Sequence, residues 1–176
     1  MSTESPKRYH PVHVVLHWAI AIMTILAIAV GMFVLNPIPD TAEKTGMLQI
    51  HTVWGALLGL LLAARLVTRF ILPRPAPATA GNAFLDFVAK AVHFLLYVGV
   101  IGMVVSGLGT ALQANLPGVF NGTAPFPADF MIYLPRIGHG FTALGLLGII
   151  GLHFAAAMYH QFIKKDNLLA RMWFGK

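Results

Sequence analysis

Four long apolar stretches constrain this sequence more than any other feature. They run from about residue 12 to 35, 47 to 72, 84 to 112 and 137 to 163. Each exceeds the roughly 20 residues that a helix needs to cross the hydrocarbon of a bilayer. Of the 176 residues, 57% are hydrophobic and only 10% are charged, which is too much continuous apolar sequence for a soluble core. The sequence therefore predicts one all-α domain over residues 1–176, an integral membrane four-helix bundle.

The basic residues predict how the bundle is oriented. Only two of them, Lys44 and Arg136, flank the side that would be outside, and all the others fall on the opposite side. Because cytoplasmic connections carry the excess of Lys and Arg, the N and C termini are expected to be cytoplasmic. The net charge of +6 is then membrane-flanking charge, and no nucleic-acid partner is expected.

The connections predict how the four helices pair. Residues 73–77 read PRPAP, which cannot continue a helix and so separates two helical hairpins. The connection over residues 113–136 is rich in proline, glycine and aromatic residues. It is expected to lie against the outer end of the bundle as an aromatic cap.

The chain has no cysteine. This composition excludes disulfides, thiolate metal sites, iron–sulfur clusters and covalently attached haem. Any redox chemistry must therefore use a cofactor that is bound without a covalent link.

Eight histidines are unusual in so apolar a chain, because an ionisable group inside a span is costly and is usually retained for a site. At a rise of about 1.5 Å per residue, His51 and His139 lie within about two turns of the outer face. By the same count, His17, His93 and His153 lie roughly 24 to 28 Å from that face. The step from His139 to His153 returns to nearly the same side of the helix after about 21 Å.

These depths predict two stacked b haems, each held between two imidazoles. We expect His51 and His139 to bind the outer iron, and His17 and His153 the inner iron. Two axial imidazoles leave no open position for oxygen at iron, so the predicted role is electron transfer. Any one of these histidines, taken alone, could instead be a hydrogen-bonded packing residue.

Other polar residues crowd the inner level. His93 has the depth to replace His17 as a ligand. With Lys90 on the same helix face, it is instead expected to contact a haem propionate or a quinone carbonyl, and the simpler alternative is snorkelling. His160 is likewise expected to contact a haem propionate or a quinone carbonyl, and snorkelling is again the simpler alternative.

Arg65 lies fourteen residues after His51 and so shares its helix face at the inner level. Its guanidinium is expected to bind a haem propionate, and the alternative is an ordinary membrane-flanking anchor. His10 and His13 are assigned to the inner interface without a ligand role.

Several segments resemble the prokaryotic cytochrome b561 family over nearly the whole chain. They are Leu16-His17-Trp18, Ile50-His51 with Arg65, His93 with Tyr97, Gly138-His139, residues 151–157 (GLHFAAA), and residues 165–169 (KDNLL) followed by Arg171-Met172. The last two are the most specific.

That resemblance implies a multi-pass protein of the bacterial inner membrane with two b haems on His17, His51, His139 and His153. It also implies electron exchange with membrane quinone near His93 and His160, with ubiquinone as the exchangeable substrate. Superoxide oxidation with quinone as acceptor is assigned within the family. No sequence motif for superoxide is visible, and two outer basic residues make a poor cationic funnel.

Three classes of function remain open. The first is a free-standing electron-transfer protein whose partners are membrane lipid, quinone, and superoxide or a protein electron donor. The second is a cytochrome b membrane-anchor subunit of a hydrogenase or dehydrogenase complex, and the lack of long soluble extensions favours the first. The third, a haem-free transporter, is disfavoured because all six carboxylates lie at span ends or in connections.

Overall fold

The computed structural model describes residues 8–79 and 81–174, and all regular structure in them is helical. The helices are α1 (Pro11–Val30), α2 (Thr45–Ile71), α3 (Ala83–Gln113), the short α4 (Leu116–Phe120) and α5 (Leu134–Met158). One π-helical turn extends α1 (Gly31–Leu35) and another extends α5 (Tyr159–Lys164). Two 3-10 segments precede α2 (Ala42–Lys44) and follow α5 (Leu168–Met172). Four of these helices are long and apolar enough to cross a membrane, which confirms the predicted all-α membrane architecture.

The helices begin and end close to the predicted spans. With the π-helical turns counted as part of α1 and α5, the largest difference is at α5, which begins at Leu134 rather than at residue 137. Pro135 lies in its first turn, where the missing N–H is not needed and the fixed φ suits a helix. The Asn82 side chain begins α3 by accepting a hydrogen bond from the Leu85 N–H at 2.8 Å, as an N-cap residue does.

The four long helices pack as two hairpins, as predicted. Helix α1 packs mainly on α2, α3 packs mainly on α5, and α2 joins the two pairs through α3. The α3–α5 contact depends on small residues: a Cβ added at Gly99 would lie 2.8 Å from Leu146 Cδ1. Leu146 is 1% exposed, so its side chain has little space to move away. The close approach of α3 and α5 therefore favours glycine at position 99.

The middle of the bundle is apolar inside and outside. A central cluster joins all four long helices, and its buried members are Ile20, Ile28, Leu58, Leu62, Val100 and Leu146. The outward faces carry large exposed apolar side chains, among them Phe70 and Phe141. Such faces are stable only when lipid covers them.

The two ends of the bundle differ. At the terminal end, which carries the start of α1 and the last turn of α5, the Tyr9 N–H donates to the Arg171 carbonyl at 3.1 Å. In the same place the Trp18 Nε1–H donates to the Met172 carbonyl at 2.8 Å. The two ends of the described chain therefore meet at one end of the bundle. Their cytoplasmic orientation stays a prediction.

The loop end, which carries α4 and residues 121–133, is closed by a second packed cluster. Phe130 is its buried aromatic residue, with ring centroids 5.5 Å from Phe126 and 6.3 Å from Tyr133. The predicted aromatic cap is thus present at this end. Asp40 ties the cap to the start of α2, because its carboxylate accepts from Lys44 Nζ at 2.7 Å and from the Phe130 N–H at 3.2 Å.

Candidate functional site

Two pairs of histidine rings face each other inside the bundle, one near each end. At the loop end, His51 on α2 and His139 on α5 have ring centroids 6.3 Å apart and ring planes at 78°. At the terminal end, His17 on α1 and His153 on α5 have centroids 6.4 Å apart and planes at 73°. The structure therefore brings together the two pairs that helix depth predicted.

The separation within each pair fits one metal ion between two imidazoles. A ring nitrogen lies about 1.1 Å from its centroid and binds a metal at about 2.0–2.1 Å, so two rings on opposite sides of one ion have centroids about 6.2–6.4 Å apart. No group of three or more His, Cys, Asp or Glu residues that could hold a metal occurs in residues 8–79 and 81–174. Two protein ligands for each ion is the arrangement that suits haem iron, because the macrocycle supplies the other four.

The hydrogen bonds of His139 assign its tautomer. Its Nδ1 lies 3.0 Å from the Ser106 hydroxyl oxygen. That hydroxyl donates its single proton to the Gly102 carbonyl at 2.6 Å, so it accepts from the Nδ1–H of the ring. The Nε2 atom of His139 is then the nitrogen with a lone pair available to a metal.

Glycines allow the helix backbone to approach both loop-end rings. A Cβ at Gly31 would lie 3.7 Å from His51 Cε1, and one at Gly107 would lie 3.2 Å from His139 Cε1. Gly55, one turn after His51, has no atom within 4 Å of an added Cβ. It lines a cavity beside the ring pair.

That cavity extends from the loop-end pair toward the centre of the bundle. All four long helices contribute to its lining, which includes His51, His139, Thr24, Gly55, Leu58 and Val104. The Thr24 hydroxyl is buried and makes no hydrogen bond to any described residue. A buried polar atom without a partner is costly, and here it lines the cavity beside the two rings. The cavity and this hydroxyl mark the loop-end pair as a place where a polar partner is missing.

Three imidazoles meet at the terminal-end pair. The ring of His93 lies 5.0 Å from the ring of His153, which is closer than two rings can be on opposite sides of one metal ion. His93 is exposed at the side of α3, and its Nδ1 lies 2.6 Å from the Ala89 carbonyl. Because a carbonyl can only accept, the Nδ1 donates and Nε2 points away from the helix backbone.

Arg65 lies at the terminal end of the bundle, where α2 packs against the start of α1. Its Nη1–H donates to the backbone carbonyl of His13 at 2.8 Å, and its charge acts on both His17 and His153. His13 itself is 2% exposed and stacks on Tyr9 with centroids 5.4 Å apart. His13 lies in the first turn of α1, at the terminal end, where α2 and Tyr9 cover its ring.

The other predicted site residues at this end lie apart from the three imidazoles. His160 lies in the π-helical turn, and its Nδ1 is 2.6 Å from the Asp166 carboxylate. Partial burial works to raise the pKa of Asp166, but the hydrogen bond and charge of His160 outweigh it and lower that pKa. This contact therefore adds stability while Asp166 is ionised and loses it as the pH falls through the lowered pKa of Asp166. Lys90 is exposed on α3.

Three residues near the loop-end pair were not predicted as site residues. Nothing in the sequence marks Ser106 or Thr24 as a site residue. Isolated hydroxyls are common in membrane helices, and helix packing decides which partners they have. Arg136 was noted only as a flanking charge. In the structure its charge acts on both His51 and His139, and Lys44, the other basic residue at this end, is 8% exposed and paired with Asp40.

Four apolar spanning helices with paired interior imidazoles define a membrane cytochrome of the b type, and sequence comparison gives its family. The sequence model described as "Prokaryotic cytochrome b561" matches residues 8–175, so the chain belongs to the prokaryotic cytochrome b561 family. It is a multi-pass protein of the bacterial inner membrane, and membership implies that it binds haem b.

Individual relatives are similar to the chain over almost its full length. "Cytochrome b561 homolog 2" of Escherichia coli (strain K12) is 26% identical over 97% of this chain and 93% of that protein. "Cytochrome b562" of Cereibacter sphaeroides is 26% identical over 93% of this chain and 94% of that protein. "Probable superoxide oxidase CybB" of Yersinia pestis is 24% identical over 94% of this chain and 96% of that protein. No solved structure gives a significant match.

Proposed function

We propose that this protein is a membrane electron carrier with two b haems, one between His51 and His139 and one between His17 and His153. The observation that carries the proposal is the spacing of the rings, 6.3 Å in one pair and 6.4 Å in the other, which would let the two imidazoles of each pair hold one haem iron between them. A haem held by these residues would supply one-electron transfer. The protein contributes the ligands, their orientation and an apolar surrounding.

We further propose that electrons are exchanged with quinone at the terminal end. His93 supports this: its ring is 5.0 Å from the ligand His153, and it is exposed at the side of the bundle, where a lipid-soluble molecule can reach it. With Nδ1 fixed on the Ala89 carbonyl, Nε2 is available to pass a proton to a quinone oxygen. The His160–Asp166 pair lies at the same end and could supply that proton from the water phase.

Superoxide oxidation is a second candidate for the electron-donating reaction. The similarity to the Yersinia pestis protein supports it, and so does Arg136, whose charge at the loop-end pair would favour an anion. The rest of the loop end adds little attraction, because Lys44 is neutralised by Asp40 at 2.7 Å. An anionic donor would therefore depend on Arg136.

The test of the carrier proposal is the haem stoichiometry. Pyridine haemochrome analysis of the purified protein against its mass should give close to two b haems per chain, with low-spin bis-imidazole spectra. His51→Ala and His17→Ala should each remove or convert one haem and leave the other. A wild-type stoichiometry near one would contradict the proposal for one of the two sites, and the variant that then has no effect would identify that site.

A further inference from the structure

Ser106 on α3 has no part in the function proposed above, yet it contacts one of the four proposed ligands. We propose that Ser106 is a positioning residue for His139, and that its hydroxyl lowers the reduction potential of the loop-end haem. The inference rests on the proposed function, since it requires iron at Nε2 of His139.

The direction of the hydrogen bond follows from the proton count. The Ser106 Oγ lies 2.6 Å from the Gly102 carbonyl and 3.3 Å from the Met103 carbonyl. Both carbonyls can only accept, so the single hydroxyl proton is directed into the α3 backbone. The 3.0 Å contact with His139 Nδ1 is then made by the N–H of the ring, for which the Met103 carbonyl is a second acceptor, and the imidazole is held in the tautomer that presents Nε2.

The same stretch of α3 also limits rotation of the ring. At Gly107, the residue after Ser106, an added Cβ would lie 3.2 Å from His139 Cε1, so the helix backbone passes close to the imidazole. The hydrogen bond at Nδ1 and the limited space beside Cε1 together restrict the ring plane. The plane lies at 78° to that of His51.

The four proposed ligands differ in whether the second nitrogen of the ring makes a hydrogen bond. Within residues 8–79 and 81–174, the rings of His17, His51 and His153 make no hydrogen bond, so His139 alone has a partner for its second nitrogen. A partner that accepts from the distal N–H makes an imidazole ligand more basic. A more basic ligand stabilises ferric iron more than ferrous iron, because the ferric ion carries the larger charge. Ser106 should therefore shift the loop-end haem, and only that haem, to a lower potential.

The experiment measures both haem potentials in the haem-loaded protein in detergent, by optical redox titration, and records low-temperature EPR of the oxidised protein. The variants are Ser106→Ala and Ser106→Thr, which retains a hydroxyl. Thr52→Ala is the matched control: Thr52 is next to His51, and its hydroxyl donates to the Leu48 carbonyl at 2.8 Å without reaching a ring. His51→Ala identifies which potential belongs to the loop-end haem.

Ser106→Ala should raise the loop-end potential by up to about 59 mV, the equivalent of a tenfold change in the ratio of oxidised to reduced haem for one electron. The EPR signal of the same haem should move, because the ring plane of His139 is no longer fixed. The second haem should stay unchanged, Ser106→Thr should restore the wild-type values, and Thr52→Ala should alter neither haem.

The outcomes separate the two proposals. If the wild-type protein lacks two bis-imidazole low-spin signals, the carrier proposal itself fails. If both signals are present but Ser106→Ala leaves the loop-end potential and EPR signal unchanged, or lowers that potential, only the role of Ser106 is overturned. A shift of similar size in Thr52→Ala would also overturn it, because the effect would then not depend on the ring contact.

Discussion

Three imidazoles lie at the terminal end, and their separations decide which two could share one iron. His17 and His153 are 6.4 Å apart, whereas His93 and His153 are 5.0 Å apart. Two trans ligands need about 6.2–6.4 Å between ring centroids, so only the first pair has the required spacing. The ring of His93 lies beside the pair, with its Nδ1 directed to its own helix.

His17→Ala and His93→Ala should therefore have opposite effects on haem binding. Loss of the His17 imidazole should leave the terminal-end iron five-coordinate or remove it, so that haem content falls from about two toward one per chain or a high-spin signal appears. His93→Ala should retain both haems in low-spin form. Optical and EPR spectra of the two purified variants check this, and high-spin haem in His93→Ala beside an intact His17→Ala spectrum would exchange their roles.

Depth along a helix could be predicted from the sequence, because the rise per residue is constant. This is why His51 was correctly placed opposite His139, and His17 opposite His153. Lateral position could not be predicted in the same way, because it depends on how the helices pack. The separations of His17 and His93 from His153, the burial of His13 and the contact of Ser106 with His139 are all lateral and needed the structure.

Close contact between α3 and α5 holds the two halves of the bundle together. The contact is tightest where Gly99 faces Leu146, and it is repeated where Gly109 faces Pro135 at 3.1 Å from an added Cβ. Helix α5 carries one histidine of each ring pair, so its distance from the other helices sets both ring separations. Packing at these glycines therefore influences the geometry of both candidate haem sites.

Gly99→Val should destabilise the protein, because its added carbons would overlap Leu146, which is 1% exposed and has little space to move. We expect a loss of about 1–3 kcal/mol, the usual cost of overpacking a filled core. Gly145→Val is the matched control, since a Cβ there meets no atom within 4 Å. Thermal unfolding of both variants in the same detergent, followed by tryptophan fluorescence, should give a lower Tm for Gly99→Val. Equal values would show that the α3–α5 contact can relax at no cost.

Helix limits could largely be predicted from the sequence, because span length and proline positions are local properties. The π-helical turns at Gly31–Leu35 and Tyr159–Lys164 could not, since a single extra residue in a turn leaves no pattern in an apolar stretch. The second of these turns carries His160, and the chain then passes through left-handed residues at Lys165 and Asn167. This path brings Asp166 back to His160. The sequence placed His160 near the inner level but gave no indication of its partner.

The two ends of the protein present different chemistry to the membrane. At the loop end, Lys44 is paired with Asp40 and the aromatic cap covers the helix ends. At the terminal end, His93, Arg65 and the His160–Asp166 pair offer several groups that can bind a proton or an anion. Reduction of a quinone needs protons as well as electrons. The distribution of polar groups therefore favours the terminal end as the place of quinone chemistry.

Replacing His93 or His160 by Gln should then slow quinone-dependent oxidation of reduced haem by at least about tenfold, because positioned acid–base groups commonly contribute a hundredfold or more. Both haems should keep their normal spectra, since neither residue belongs to a ring pair with the spacing of axial ligands. His10→Asn is the matched control: His10 is at the same end, and among the described residues its ring makes one hydrogen bond, in which it accepts from the Val12 N–H at 3.3 Å to cap α1. Stopped-flow mixing of the reduced protein with a soluble quinone measures the rate. If the rate survives in both Gln variants but falls in Phe126→Leu or Tyr133→Phe, quinone binds at the loop end and the proposed direction of electron flow is reversed.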